Sequence, residues 1–310
     1  MAEKVDLSVK ISGLQLKNPV LAASGTFGYG LEFQPFLDLS ELGGFCTKGL
    51  SLEPMPGSPP SRIMETPSGM LNAIGLENVG VETFIREKLP RLRDYDTHVI
   101  ANIFGKTVKE FLAITQLLNS QVKVSALELN ISCPNIQQGG VEFGHDPELT
   151  FEVVKTVKSV AQKPVWVKLS PNVTDIRVFA RACEDAGADA ITLVNTFVGM
   201  SIDVHRRRPI LSNDTGGLSG PAIRPLAVRL VQEVTQTVQI PVVGIGGIST
   251  ARDALEFLIA GARAVQIGTA NFFDPQVSIR VIRDLRKFCQ QNGITDMGEI
   301  IGSLTARSTI

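Results

Sequence analysis

The sequence predicts an α/β protein: a single (β/α)8 TIM barrel domain over residues 1–310, with an N-terminal β-hairpin and long loops after strands 2, 4 and 6. Three observations predict it. Eight short apolar runs, most without polar alternation, have the pattern of parallel strands buried on both faces. Amphipathic stretches separate them, which is the βαβ signature. The helix-to-strand joint Ala186-Gly187-Ala188-Asp189-Ala190-Ile191 returns as Ala260-Gly261-Ala262-Arg263-Ala264-Val265, two units further on at the usual spacing of this fold. Each copy puts glycine where a helix C-cap takes the left-handed conformation.

Taken in order, Val9–Ile11 and Leu14–Leu16 flank Ser12-Gly13 and read as a hairpin covering the barrel bottom. The strands follow at 20–22, 44–48, 98–102, 126–130, 165–168, 190–194, 242–244 and 264–267. The gaps after strands 2 and 6 are much longer than the rest and hold the Pro/Gly-rich stretches 52–60 and 208–221. Loops of that length in compact domains usually carry function. The stretch 137–144 after strand 4 is the third loop, and no linker or low-complexity tract divides the chain.

Composition narrows the function classes. With 44% hydrophobic and 20% charged residues the chain has ample material for a core. Lysine and arginine total 30 against 31 acidic residues, a net charge of -1, so the basic field that nucleic acids and anionic membranes require is missing. No apolar run approaches the roughly 18 residues that span a bilayer, and Glu3, Lys4 and Asp6 interrupt any export signal. The expectation is a cytoplasmic protein. Cys46, Cys133, Cys183 and Cys289 are too far apart for a zinc knuckle, an iron–sulfur loop or a disulfide framework.

The informative pattern is what closes each strand: Lys48, Asn102, Asn130, Lys168 and Asn195-Thr196, then Gly246-Gly247 and Gly268-Thr269. Polar ends on apolar strands converge on the C-terminal mouth, where barrels of this kind bind ligands, with a phosphate site after strands 7 and 8 built from backbone N–H groups and a helix N-terminus. Ser249 or Thr250 opens that helix. Because Ser249 stands where a dinucleotide fingerprint needs its third glycine, a Rossmann site is excluded. Cys183 and Cys289 fall on apolar helical stripes and Cys46 inside a strand, so all three read as core thiols. Cys133 differs. It follows strand 4 in Asn130-Ile131-Ser132-Cys133-Pro134-Asn135, where proline blocks a helix and leaves a loop thiol at the mouth, a candidate base or nucleophile.

The chain resembles class 1 dihydroorotate dehydrogenases, and within them the class 1B catalytic subunit, along nearly its whole length. The segments that carry the resemblance are Asn18-Pro19-Val20 through Ala23-Ser24-Gly25, Thr47-Lys48-Gly49, Asn72-Ala73-Ile74-Gly75-Leu76-Glu77-Asn78, residues 130–135, Gly216-Gly217-Leu218-Ser219-Gly220 and Gly246-Gly247-Ile248. Class 2 members have serine where Cys133 stands. The resemblance implies an FMN-dependent barrel that oxidises dihydroorotate to orotate, with Cys133 as the base. It implies FMN contacts from Ser24, Lys48, Gly49, Asn102, Asn130, Lys168, Val194, Gly220, Gly246, Gly247, Gly268 and Thr269. It implies substrate contacts from Lys48, Asn72, Ala73, Ile74, Gly75, Leu76, Asn130, Asn135, Asn195 and Thr196.

Class 1B also implies a partner, an iron–sulfur flavoprotein subunit with FAD and [2Fe–2S] that passes electrons to NAD+, around a homodimer core within a heterotetramer. This chain has neither a nicotinamide fold nor a cysteine cluster to serve in its place. Class 1A, a fumarate-using homodimer, is the near alternative. A tRNA-dihydrouridine synthase would need a basic RNA surface; a dihydropyrimidine dehydrogenase module and a non-catalytic FMN-binding barrel are the remaining readings.

Overall fold

The computed structural model describes residues 5–132 and 143–305. β1 (Val9–Ile11) pairs antiparallel with β2 (Leu14–Leu16), and Ser12 and Gly13 take φ of 51° and 84° in the turn between them. Eight parallel strands then close a barrel: β3 (Val20–Ala22), β4 (Gly44–Cys46), β7 (His98–Ile103), β8 (Val124–Asn130), β9 (Val165–Lys168), β10 (Ala190–Leu193), β15 (Val242–Ile245) and β16 (Ala264–Ile267), the last pairing back onto β3. These are the eight predicted runs. Their ends shift by no more than two residues; β4 stops at Cys46, and Thr47 continues its line by donating to the Ile100 carbonyl.

Helical segments lie between the strands. α1 (Val81–Thr83) leads into further turns to Leu92, followed along the chain by α2 (Val108–Asn119), α3 (Pro147–Val160), α4 (Ile176–Asp185), α5 (Arg224–Thr235), α6 (Ala251–Ile259), α7 (Ala270–Phe273) and α8 (Val277–Gln291). Their starts are written locally. Thr107, Asp146, Asp175 and Thr250 each accept a first-turn N–H, which satisfies donors that the helix cannot. The two repeated joints behave as expected, with Gly187 at φ 88° and Gly261 at φ 111°. Ile176, Phe179, Ala180 and Cys183 form the buried stripe of α4, and one continuous apolar core runs through the barrel and under its helices.

The two long insertions differ from the loops expected of them. The first contains β5 (Ile63–Thr66) and β6 (Gly69–Asn72); the second contains β11 (Phe197–Met200), β12 (Ile202–Asp203), β13 (Arg208–Pro209) and β14 (Thr215–Ser219). They join in one antiparallel sheet of order β11-β14-β6-β5. A lone two-stranded hairpin is marginal in water, so each insertion gains strand structure by pairing with the other. Leu71, Ala73 and Leu211 form a small apolar cluster there, with Met64 and Leu218 against it. Among the described residues no helix is long and apolar enough to cross a membrane.

Candidate active site

The strand ends and the inter-insertion sheet enclose a cavity of about 760 Å³ at the C-terminal mouth. Parallel register builds its floor. Asn130 is paired with Lys168, and Lys168 with Thr192; residues level with one another on neighbouring strands project to the same side. Lys48 and Lys168 both line the cavity. Lys168 is only 6% exposed, and neither ammonium has a hydrogen-bond or ion-pair partner among the described residues. Enclosed charge without a partner is costly. The pair therefore calls for an anionic or electron-rich ligand.

Carboxamides converge beside the lysines. Asn195 Nδ2 donates to Asn130 Oδ1 at 3.4 Å, and the Thr196 N–H donates to Asn195 Oδ1 at 2.8 Å. The Ser132 N–H donates to Asn130 Oδ1 at 3.3 Å while its hydroxyl donates to the Lys168 carbonyl at 2.6 Å. Donors and acceptors thus alternate in a small space, which suits a planar, amide-rich ligand.

On another wall, Gly220, Gly246 and Gly247 take φ of 96°, 134° and 71°. A Cβ on Gly247 would stand 2.8 Å from both the Gly220 carbonyl and Arg224 Cβ, and one on Gly246 would stand 2.8 Å from Ala227 Cβ. Only glycine lets the chain pass here. Among the described residues no backbone acceptor takes the N–H of Gly246, Gly247, Gly268 or Thr269, and all four residues line the cavity. That is an anion nest. Where the following helix begins, Thr250 is the N-cap of α6, and Asp253 accepts the N–H groups of Ser249 and Thr250 at 3.0 and 2.9 Å. The same Asp253, 3% exposed, ion-pairs with Arg224 and so braces the glycine turn from below.

Beneath the floor lies a buried polar bridge. Glu128, with no exposed surface, accepts Asn102 Nδ2 at 2.7 Å and Gln266 Nε2 at 2.8 Å. Burial and the Glu128 carboxylate push the nearby Cys46 thiol well above its ordinary range, which keeps it neutral. Burial does the same to Cys183 and Cys289. All three are fully buried.

The predicted positions can now be placed. Ser24, Lys48, Gly49, Asn102, Asn130, Lys168, Val194, Gly220, Gly246, Gly247, Gly268 and Thr269 all line the one cavity, as do Asn72, Ile74, Gly75, Leu76, Asn195 and Thr196. Ala73 does not. Its side chain is 2% exposed and packs with Leu71 and Leu211, because strand alternation turns it away from the face that Asn72 presents. Cys133 and Asn135 lie outside the described residues.

A sequence profile of the family described as dihydroorotate dehydrogenase matches residues 6–289. The chain belongs to the dihydroorotate dehydrogenase family. Among its relatives, the dihydroorotate dehydrogenase B (NAD(+)) catalytic subunit of Geotalea uraniireducens is 56% identical over 301 residues, which is 97% of this chain and 99% of the relative. The protein of the same name from Geobacter sulfurreducens is 54% identical over 302 residues, with the same coverage. The family resemblance drawn from the strand-end motifs is borne out. The sequence reading nonetheless missed Glu128 and Gln266, although the signal was present: each is a polar residue inside a strand with apolar neighbours on both sides, a pattern that asks for a buried partner.

Proposed function

We propose that this chain is the catalytic subunit of an NAD+-linked dihydroorotate dehydrogenase, a single-domain enzyme that oxidises (S)-dihydroorotate to orotate with one FMN in de novo pyrimidine synthesis. The observation that carries the reading is the pairing, in one cavity, of a glycine turn whose N–H groups have no backbone acceptor among the described residues with a floor of carboxamides and of lysines that have no partner among those residues. The residues fit FMN. The nest suits a single phosphate, Lys168 suits the electron-rich edge of a flavin ring, and the buried, unpartnered Asn102 Oδ1 supplies an acceptor; leaving such an oxygen unpaired costs about 1–3 kcal/mol. Ser24, Lys48, Gly49, Asn130, Val194, Gly220, Gly268 and Thr269 complete that set.

When bound, FMN supplies the acceptor for the hydride that leaves C6 of the substrate. The chain's residues do the rest. Lys48, Asn72, Asn130, Asn135, Asn195 and Thr196, with the 74–76 backbone, bind and orient the ring and its carboxylate. Cys133, as thiolate, takes the proton from C5. One proton and one hydride leave, and the C5–C6 double bond of orotate forms. Lys168 would stabilise the negative charge that the flavin takes on. Electrons then pass to a partner iron–sulfur flavoprotein subunit carrying FAD and [2Fe–2S], within a cytoplasmic heterotetramer built on a homodimer of this chain, the commonest symmetry for such a core.

The test is orotate formation measured with NAD+ and with fumarate, each with and without a co-purified iron–sulfur flavoprotein, together with identification of the extracted flavin. Extracted FMN and NAD+-linked turnover only with the partner are expected. Brisk fumarate turnover by the chain alone would assign it to the fumarate-using class instead, and extraction of FAD would overturn the cofactor assignment.

A further inference from the structure

Glu128 is wholly enclosed on β8, and each of its carboxylate oxygens accepts one carboxamide, Asn102 Nδ2 on Oε1 and Gln266 Nε2 on Oε2. In both contacts the carboxamide nitrogen donates and the carboxyl oxygen accepts. The NH2 end of Asn102 must therefore face Glu128, and its oxygen must face away. That oxygen lies against Gly49, where a Cβ would stand 3.1 Å from it, and both residues line the cavity. It is buried and takes no hydrogen bond from the described protein. The main chain at this point is already anchored, since the Asn102 N–H donates to Thr47 Oγ1 at 3.1 Å. Only the direction of the amide is left to be decided, and Glu128 decides it.

We propose that Glu128 is a positioning residue that holds Asn102 with its oxygen toward the cavity, making that wall an acceptor for a ring N–H of the bound ligand. The inference rests on the FMN reading given above. An oxidised isoalloxazine ring carries a single N–H, the imide between its two carbonyls, and the preset oxygen is complementary to it. A reversed amide would present two donors and accept nothing there.

The experiment is a fluorescence titration of the flavin-stripped full chain with FMN and with FMN methylated at the imide nitrogen, which has no N–H. The affinity ratio of the two ligands is compared between chains, so the bulk of the methyl group is common to all of them. In Glu128→Gln the new side chain can donate or accept, Asn102 is free to turn over, and the ratio should fall about tenfold, or ~1.4 kcal/mol. The double variant Glu128→Gln/Asn102→Asp restores the polarity: the introduced glutamine donates to one oxygen of the new carboxylate and the other faces the cavity. Its ratio should return to within about threefold of the unaltered chain, which a purely structural role for Glu128 does not predict. If Glu128→Gln fails to fold, the double variant, which keeps one buried carboxyl group in the bridge, decides alone. An unchanged ratio in folded Glu128→Gln, or a ratio that stays low in the double variant, overturns the proposal. If the unaltered chain binds neither flavin, the function reading falls and takes the proposal with it; binding of both without the expected change in ratio removes the proposal only.

Discussion

Asn72 of β6 stands opposite Gly217 of β14, and its Nδ2 donates to the Gly217 carbonyl at 3.3 Å across 145 residues of sequence. This contact joins the two insertions directly over the mouth of the barrel. Gly217 is in turn pressed against Thr196, whose Oγ1 would lie 2.0 Å from a Cβ at that position. Sheet pairing and this part of the cavity wall thus share one tight junction.

Gly217→Ala should therefore displace Thr196 and loosen the seam between β6 and β14. Because the glycine nest and Lys168 are on other elements, flavin content should stay near one per chain while KM for dihydroorotate rises about tenfold or more, the ~1.4 kcal/mol worth of a displaced polar contact. Steady-state kinetics beside a flavin assay check it; an unchanged KM would detach this seam from the substrate.

Cys133→Ser should keep flavin binding and slow flavin reduction by dihydroorotate about 10²- to 10⁴-fold at neutral pH, the usual worth of general-base catalysis. The base works deprotonated, so the rate of the unaltered enzyme should climb with pH toward the ordinary thiol pKa of about 8.5. Serine, a far weaker acid, should lag across that range. Stopped-flow reduction at several pH values measures both. Thiol labelling gives a second check: Cys46, Cys183 and Cys289 are fully buried with thiols pushed up by desolvation, so the folded chain should react at Cys133 alone and the variant not at all.

Lys168→Met removes a cation that lines the floor with no hydrogen-bond or ion-pair partner among the described residues. Positive charge favours the reduced, anionic flavin, so its loss should make the midpoint potential more negative by about 30 mV or more, equivalent to ~1.4 kcal/mol for a two-electron couple. Redox titration against a dye reads this directly. A potential unchanged or more positive would place the ammonium away from the flavin.

Asp253→Ala should weaken flavin phosphate binding from outside the cavity. The carboxylate holds the N–H groups of Ser249 and Thr250, the Ser249 hydroxyl at 3.0 Å and Arg224. Removing it strands those donors behind the glycine turn, and hydrogen bonds to a charged group are worth about 1.5–3 kcal/mol each at most. Denaturant unfolding should show a loss of about 2–4 kcal/mol, and FMN should bind several-fold less tightly while riboflavin, which lacks the phosphate, shows no such change. Equal losses for both ligands would refute the bracing role.

Much of the fold was legible because its signals are local. An apolar run bounded by a turn residue makes a buried strand wherever its partners come from, so 165–168 and 264–267 were read to the residue. Helix caps and the left-handed glycines at 187 and 261 follow from single side chains and single φ angles. The convergence on one cavity was legible for the same reason: in a parallel barrel every strand delivers its end to the same rim, so Asn130, Lys168 and Gly246 needed no knowledge of one another to meet.

The remainder depended on contacts between distant segments, which carry no local mark. Nothing in 63–72 or 197–219 names the other as its strand partner, and the sheet exists only because each supplies the hydrogen bonds that the other lacks. Ala73 turned inward because Leu71 and Leu211 were there to cover it. The N–H groups of Ser249 and Thr250 were unavailable to a ligand because Asp253 of α6 had already taken them. The side chain of Asn102 met its partner Glu128 on the neighbouring strand, a contact that the local sequence around either residue does not mark. The sequence determined by itself which residues reach the mouth; the tertiary structure alone decided which of their donors and acceptors remain free, because hydrogen bonds are exclusive and a group already paired within the protein has nothing left for a ligand.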